Sequence, residues 1–158
     1  MVEHLIDLPD EEATLGLGAA LAAGAHNGLV CHLRGDLGSG KTTLARGLLR
    51  ALGCQERVKS PTYTLVEHYT VSRLNLYHFD FYRFNDPAEW LSSGFPEYFG
   101  PDALCLVEWP ERAGATLAPP DLEVALEFPQ SGRRARLRAL SPAGGDWLAS
   151  ASAHFSSS

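Results

Sequence analysis

Gly35-Asp36-Leu37-Gly38-Ser39-Gly40-Lys41-Thr42-Thr43 fits the pattern GxxxxGK[ST] of a phosphate-binding loop. Its glycines let backbone N–H groups curl around a phosphate without Cβ clashes. Lys41 supplies a point charge for the β- and γ-phosphates, and the Thr42 hydroxyl can hold Mg²⁺. The loop needs a buried strand before it and a helix after it. Gly28 to Arg34 is a short apolar run of strand length. Leu44, Ala45, Leu48, Leu49 and Leu52 recur at helical spacing, and Gly53 sits where a C-terminal cap glycine belongs. Strand, loop and helix thus arrive in the order that a nucleoside triphosphate site requires.

Outward from this unit the chain reads as alternating strands and helices. Val2–Leu8 is expected to be a strand, and Pro9-Asp10-Glu11-Glu12 a helix start with acids at the positive end of the dipole. Ala13, Leu17, Ala20 and Leu21 form that helix's apolar stripe, which closes over Gly24 to Gly28. Ser60-Pro61-Thr62-Tyr63 predicts a loop. Two β-rich runs, Thr64–Val71 and Leu74–Phe81, flank Ser72-Arg73 as a hairpin. Asp86 caps a short helix with Pro87 at its first position. Ala103 to Val107 is wholly apolar, as a central parallel strand should be, and ends in Glu108-Trp109-Pro110-Glu111. Asp121–Phe128 and Arg133–Leu140 form a final hairpin around Gln130-Ser131-Gly132.

With 158 residues and 45% hydrophobic content, the chain fits one domain with an ordinary core. The expectation is a single unit over residues 1–140, followed by a partly disordered tail, 141–158, ending in three serines. The net charge of −6 argues against unaided, tight binding to nucleic acid. The cluster Arg133, Arg134, Arg136 and Arg138 is the exception. Cys31, Cys54 and Cys105 form no CxxC pair; Cys31 and Cys105 lie in apolar runs and are expected to be buried thiols, in a reducing cytoplasm. No apolar run approaches the roughly 18 residues of a membrane helix, and no signal peptide is visible. Neither a membrane nor a DNA partner is expected.

A phosphate loop cannot complete a Mg²⁺ shell alone, because the ion wants six oxygens. A carboxylate from a neighbouring strand end usually helps. Glu108 is the first polar group after a buried strand, where ligands gather in open α/β sheets. Asp80 lies among aromatics in Leu76-Tyr77-His78-Phe79-Asp80-Phe81-Tyr82-Arg83, so it should meet a metal, a water, Arg83 or His78. Alternation places His78 and Asp80 on one strand face and Arg83 on the other. His78 reads as a packed core residue in preference to a base. Ser60 and Thr62 sit where a mobile loop could sense the γ-phosphate.

GDLGSGKTT at 35–43, SPTYTL at 60–65, YHFDFYR at 77–83 and EWPE at 108–111 stand in the order and spacing of the TsaE family, which the chain resembles over about residues 5 to 138. Glu12-Ala13-Thr14 and Leu17-Gly18 add to the likeness. TsaE proteins are bacterial ATPases required for threonylcarbamoyladenosine modification of tRNA. The resemblance implies an α/β, P-loop NTPase-like three-layer sandwich whose parallel central sheet is extended by antiparallel strands. It implies weak ATP hydrolysis that depends on TsaD and TsaB, resets their complex between turnovers, and meets tRNA only through that complex. By motif, Gly38, Ser39, Gly40, Lys41, Thr42 and Thr43 would bind ATP. Thr42 and Glu108 would hold Mg²⁺, and Asp80 would hold the metal or place the attacking water; Lys41, Asp80 and Glu108 are thus the catalytic candidates. Ser60 and Thr62 would belong to the nucleotide-sensing loop. Thr14 and Arg133 or Arg134 would touch the adenine end, while Trp109 receives no role. A small-molecule kinase would need a lid that is not apparent, and a GTP switch would need an NKxD motif that the chain lacks.

Overall fold

The apolar run before the phosphate loop becomes a strand at the heart of a seven-stranded sheet. The computed structural model describes residues 2–130 and 132–156. In chain order the elements are β1 (Glu3–Leu8), α1 (Glu11–Ala22), β2 (Val30–Arg34), α2 (Lys41–Ala51), β3 (Val66–Val71) and β4 (Leu74–Asp80). They continue with α3 (Pro87–Ser92), β5 (Leu104–Glu108), β6 (Leu122–Glu127), β7 (Arg133–Ala139) and α4 (Pro142–Ser156), with short 3-10 turns at Phe95–Tyr98 and Pro110–Ala113. The strand order is β1-β7-β6-β2-β5-β4-β3. Pairs β6–β2, β2–β5 and β5–β4 are parallel; β1–β7, β7–β6 and β4–β3 are antiparallel. The expected parallel centre with antiparallel extensions is therefore what forms.

Side-chain alternation divides the core into two layers. On β5, Leu104 and Leu106 join α1, α2 and α4 on one face, while Cys105 and Val107 join Phe79, Phe81 and Trp90 on the other. β2 gives Cys31 and Leu33 to the first face, β6 gives Leu122, Val124 and Leu126, and β7 gives Ala135 and Leu137. Helices α1 and α2 cross at backbone contact: a Cβ on Gly18 would strike Leu44 O, and one on Gly47 would strike Leu15 O. Only glycine permits that approach. Asp10 caps α1 by accepting the Ala13 N–H at 2.8 Å, and Asp86 caps α3 by accepting the Ala88 N–H at 2.9 Å. The β3–β4 turn places Ser72 and Arg73 at φ 50° and 66°, an unfavoured pair for such a turn. The Ser72 hydroxyl donates to Leu52 O at 2.6 Å, which ties the turn to the end of α2.

The expected tail over 141–158 is corrected for Pro142–Ser156, which is α4. The Ser141 hydroxyl accepts the Gly144 N–H at 2.9 Å and donates to Asp121 Oδ1 at 2.7 Å. Trp147, Leu148 and Ala151 are buried against the first core face, and the Trp147 indole donates to Leu21 O at 2.8 Å. Apolar burial at this spacing outweighs the low helix propensity of Gly144 and Gly145. Ser131 of the β6–β7 turn and the last two of the three terminal serines lie outside the described residues. Among the described residues no helix is long and apolar enough to cross a membrane.

Candidate functional site

The phosphate loop runs from Gly35 to Gly40 between β2 and α2. Gly38 and Gly40 have φ of 76° and 106°, which an L side chain rarely adopts. Gly40 is the N-cap of α2 and brings no side-chain cap. Leu44 N–H bonds back to Gly40 O at 2.9 Å, so the amides of Lys41, Thr42 and Thr43 in the first turn are left without helix partners. That is an anion site in waiting, with the positive dipole end of α2 behind it.

Lys41 is buried, and its ammonium donates to the carbonyls of Gly35 and of Asp36, the latter at 3.5 Å. It also lies 4.2 Å from the centroid of the Trp109 ring. Burial pushes the Lys41 pKa down, and the negative charges of Glu108, Asp80, Glu111 and Asp36 oppose that. Trp109 has φ 56°, rare for a bulky residue, and its ring also meets Tyr82 at 5.0 Å and the Arg112 guanidinium at 5.8 Å. The sequence gives Trp109 no role; the structure makes it the wall beside Lys41.

Asp80 and Glu108 end adjacent parallel strands and face each other in register. Both are even-numbered partners of Leu76 and Leu106, so both point to the α2 face. The Thr42 hydroxyl donates to Glu108 Oε2 at 3.2 Å. His78 Nε2 lies 2.6 Å from the same oxygen. The expectation that Asp80 could pair with His78 or Arg83 is corrected. Asp80 Oδ1 accepts the Tyr82 N–H at 2.9 Å, and Oδ2 accepts the Thr62 hydroxyl at 3.1 Å. Arg83 lies in the turn beyond the end of β4, where strand alternation no longer applies; it donates to Tyr63 O at 3.4 Å and lies 5.4 Å from the Tyr63 ring. Burial pushes the Asp80 pKa up; the Tyr82 N–H opposes this, and nearby Glu108 adds to it. Ser60 and Thr62 bond each other at 2.8 Å, so the loop before β3 is fastened to the site through Asp80.

Lys41, Thr42, Ser60, Thr62, Asp80, Glu108 and Trp109 line a cleft of about 600 Å³ with Gly38, Ser39, Gly40, Thr43 and Arg133. That volume lies within the range usual for small-ligand sites. Arg133 and Arg134 part company through alternation: Arg133 lines the cleft, and Arg134 pairs with Glu127 at 3.4 Å on the opposite face. Arg136 and Arg138 are likewise paired with Glu3, Glu127 and Glu123, so three of the four arginines of the basic cluster are engaged by carboxylates and Arg133 is left for the cleft. Thr14 is fully buried and is not among the cleft-lining residues. Its methyl would stand 3.4 Å from a Cβ on Gly40, so it backs the loop from inside. Pro9, Asp10 and Glu11 reach the cleft in its place.

Comparison with known proteins agrees with this geometry. Residues 8–136 match the family model described as "Threonylcarbamoyl adenosine biosynthesis protein TsaE". The tRNA threonylcarbamoyladenosine biosynthesis protein TsaE of Haemophilus influenzae is 41% identical over 135 residues, covering 82% of this chain and 85% of that protein. The protein of the same name from Bacillus subtilis is 40% identical, covering 73% of this chain and 72% of its own. The crystal structure of Bacillus subtilis YdiB superposes with a TM-score of 0.82 at 28% identity, covering 97% of this chain and 96% of that one. The chain belongs to the TsaE family.

Proposed function

We propose that this protein is a Mg²⁺-dependent ATPase of low intrinsic rate that serves threonylcarbamoyladenosine modification of tRNA in the cytoplasm. It acts with TsaD and TsaB, resets their complex between turnovers, and meets tRNA only through them. One observation carries the ATPase reading: the Thr42 hydroxyl, at the first turn of a phosphate-loop helix, lies 3.2 Å from a strand-end carboxylate, Glu108.

The donor set suits magnesium. Thr42 and Glu108 offer hard oxygens, and among the described residues no group of three or more His, Cys, Asp or Glu could hold a metal. Mg²⁺ is usually held by one or two carboxylates together with substrate phosphates and waters. Thr42 and Glu108 would hold the ion, with Asp80 beside them. When bound, it would neutralise charge on the β- and γ-phosphate oxygens.

The chain's own residues do the rest. Lys41, drawn from its carbonyl partners, grips the phosphates, and the amides of Gly38 to Thr43 cradle them. Asp80 or Glu108 orients a water in line with the γ-phosphate. Arg133 contacts the nucleotide from the cleft wall, and Thr14 supports Gly40 from behind. Ser60 and Thr62 couple the occupied site to the loop before β3, which can order or release around hydrolysis. Among the cleft-lining residues Arg133 is the one arginine, and it sits on the P-loop side beside Gly132. A low rate without partners follows from that incomplete charge clamp. The test is phosphate release on mixing the protein with TsaD and TsaB. A rate well above that of the protein alone is expected; an unchanged rate contradicts the reading.

A further inference from the structure

His78 is the fully buried polar side chain that the proposed chemistry leaves unused. It stands on β4 in register with Leu106, and reaches diagonally to the side chain two residues further along β5, Glu108. Its Nε2 lies 2.6 Å from Glu108 Oε2. A carboxylate only accepts, so the imidazole donates from Nε2. The other ring nitrogen, Nδ1, is buried and has no partner among the described residues, so the ring makes one bond and makes it to Glu108.

The Thr42 hydroxyl also falls on Oε2, and Oε1 accepts no hydrogen bond within the described chain. One oxygen is therefore pinned, by His78 from outside the cleft and by Thr42 on its wall, and the other is left without a partner in a side chain that lines the cleft. A glutamate head has three rotatable bonds, and holding one rotamer costs entropy unless a neighbour fixes it. Groups that orient a metal-binding carboxylate matter for that reason.

We propose that His78 is a positioning residue for Glu108: its Nε2–H fixes the carboxylate so that the free oxygen is presented to a cleft-bound divalent cation. The proposal rests on the Mg²⁺–ATP reading above. It assigns His78 no contact with nucleotide, metal or water. Its mark is therefore narrow: loss of the ring should weaken the metal-dependent share of nucleotide binding and leave the metal-free share alone.

The experiment is calorimetric titration of a non-hydrolysable ATP analogue with and without Mg²⁺, on the full chain. Wild type should bind more tightly with Mg²⁺, and Glu108→Ala should lose that gain. His78→Leu should lose about 10- to 100-fold of the gain, the usual effect of removing a group behind a metal ligand, with metal-free affinity unchanged. His78→Gln places an amide N–H near the former Nε2 and should keep most of the gain. Should the leucine variant not fold, His78→Asn serves instead. Its amide falls short of Glu108, so the same loss is expected. A variant lacking the bond that keeps the full Mg²⁺ gain overturns the positioning role, as does a glutamine variant no better than leucine or asparagine. A wild type with no Mg²⁺ gain overturns the ATPase reading itself, and the role of His78 with it.

Discussion

Asp80 and Glu108 are register partners at the carboxyl ends of adjacent parallel strands, yet they are secured differently. Both oxygens of Asp80 are engaged, one by the Tyr82 N–H and one by the Thr62 hydroxyl. Among the described residues, Glu108 is held by one oxygen only. The two acids are therefore held apart in kind: Glu108 keeps one oxygen for the magnesium proposed above, and Asp80 ties the loop at 60–64 to the sheet. Glu108→Ala should cut partner-stimulated phosphate release by about 10²–10³-fold, the usual loss for one preorganised electrostatic group. Thr62→Val should retain most turnover but increase proteolytic cleavage within residues 59–65.

Asp80→Asn should raise the melting temperature of the ligand-free protein while lowering turnover. Burial raises the Asp80 pKa above its ordinary value of 3.8, so ionising it in the folded state costs stability. That cost is absent at pH below 3.8, where the acid is neutral both folded and unfolded, and it grows as pH rises through the folded value. The asparagine variant's advantage should therefore be near zero in acid and widest at neutral pH. Melting curves at pH 3.5 and pH 7 check both the sign and the trend.

Lys41→Ala should weaken ATP binding by about 10- to 100-fold, as expected for losing a charge-assisted contact to phosphate. Because Lys41 is buried and desolvated, the same change should not destabilise the ligand-free protein appreciably. Nucleotide titration and thermal melting of the one variant test the two halves separately.

Trp147→Ala should cost about 3–5 kcal/mol, since it empties a fully buried site on α4 and removes the bond to Leu21 O. In a domain of this size that is a fall of roughly 6–20 °C in melting temperature. Truncation after Leu140 should be at least as harmful. A truncated chain that melts with the full protein would contradict the packing of α4.

Period and punctuation made most of the molecule readable. The strand–loop–helix unit at 30–51 follows from one apolar run, three glycines and a leucine stripe. Glu108 is legible because a charge directly after Leu104–Val107 falls at the strand end. α4 is hidden in the sequence, since Gly144 and Gly145 look like a chain end while its signal, a Ser-Pro start and apolar residues at 147, 148 and 151, is short. Thr14 shows the limit of motif reading: its position in the chain does not reveal that α1 turns it inward behind Gly40. Partner choice was harder still. Alternation put His78 and Asp80 on one face, but the lateral neighbour of each comes from β5 or the loop before β3, and only the sheet register decides that His78 reaches Glu108 while Asp80 reaches Thr62.

The most direct test is a crystal structure of the protein with a non-hydrolysable ATP analogue and Mg²⁺. The triphosphate should be wrapped by Gly38 to Thr43, with Lys41 moved from the Gly35 carbonyl to the phosphates and the ion bound by the Thr42 hydroxyl and the free Glu108 oxygen. A nucleotide seated elsewhere, or a metal that Glu108 does not touch, would contradict it.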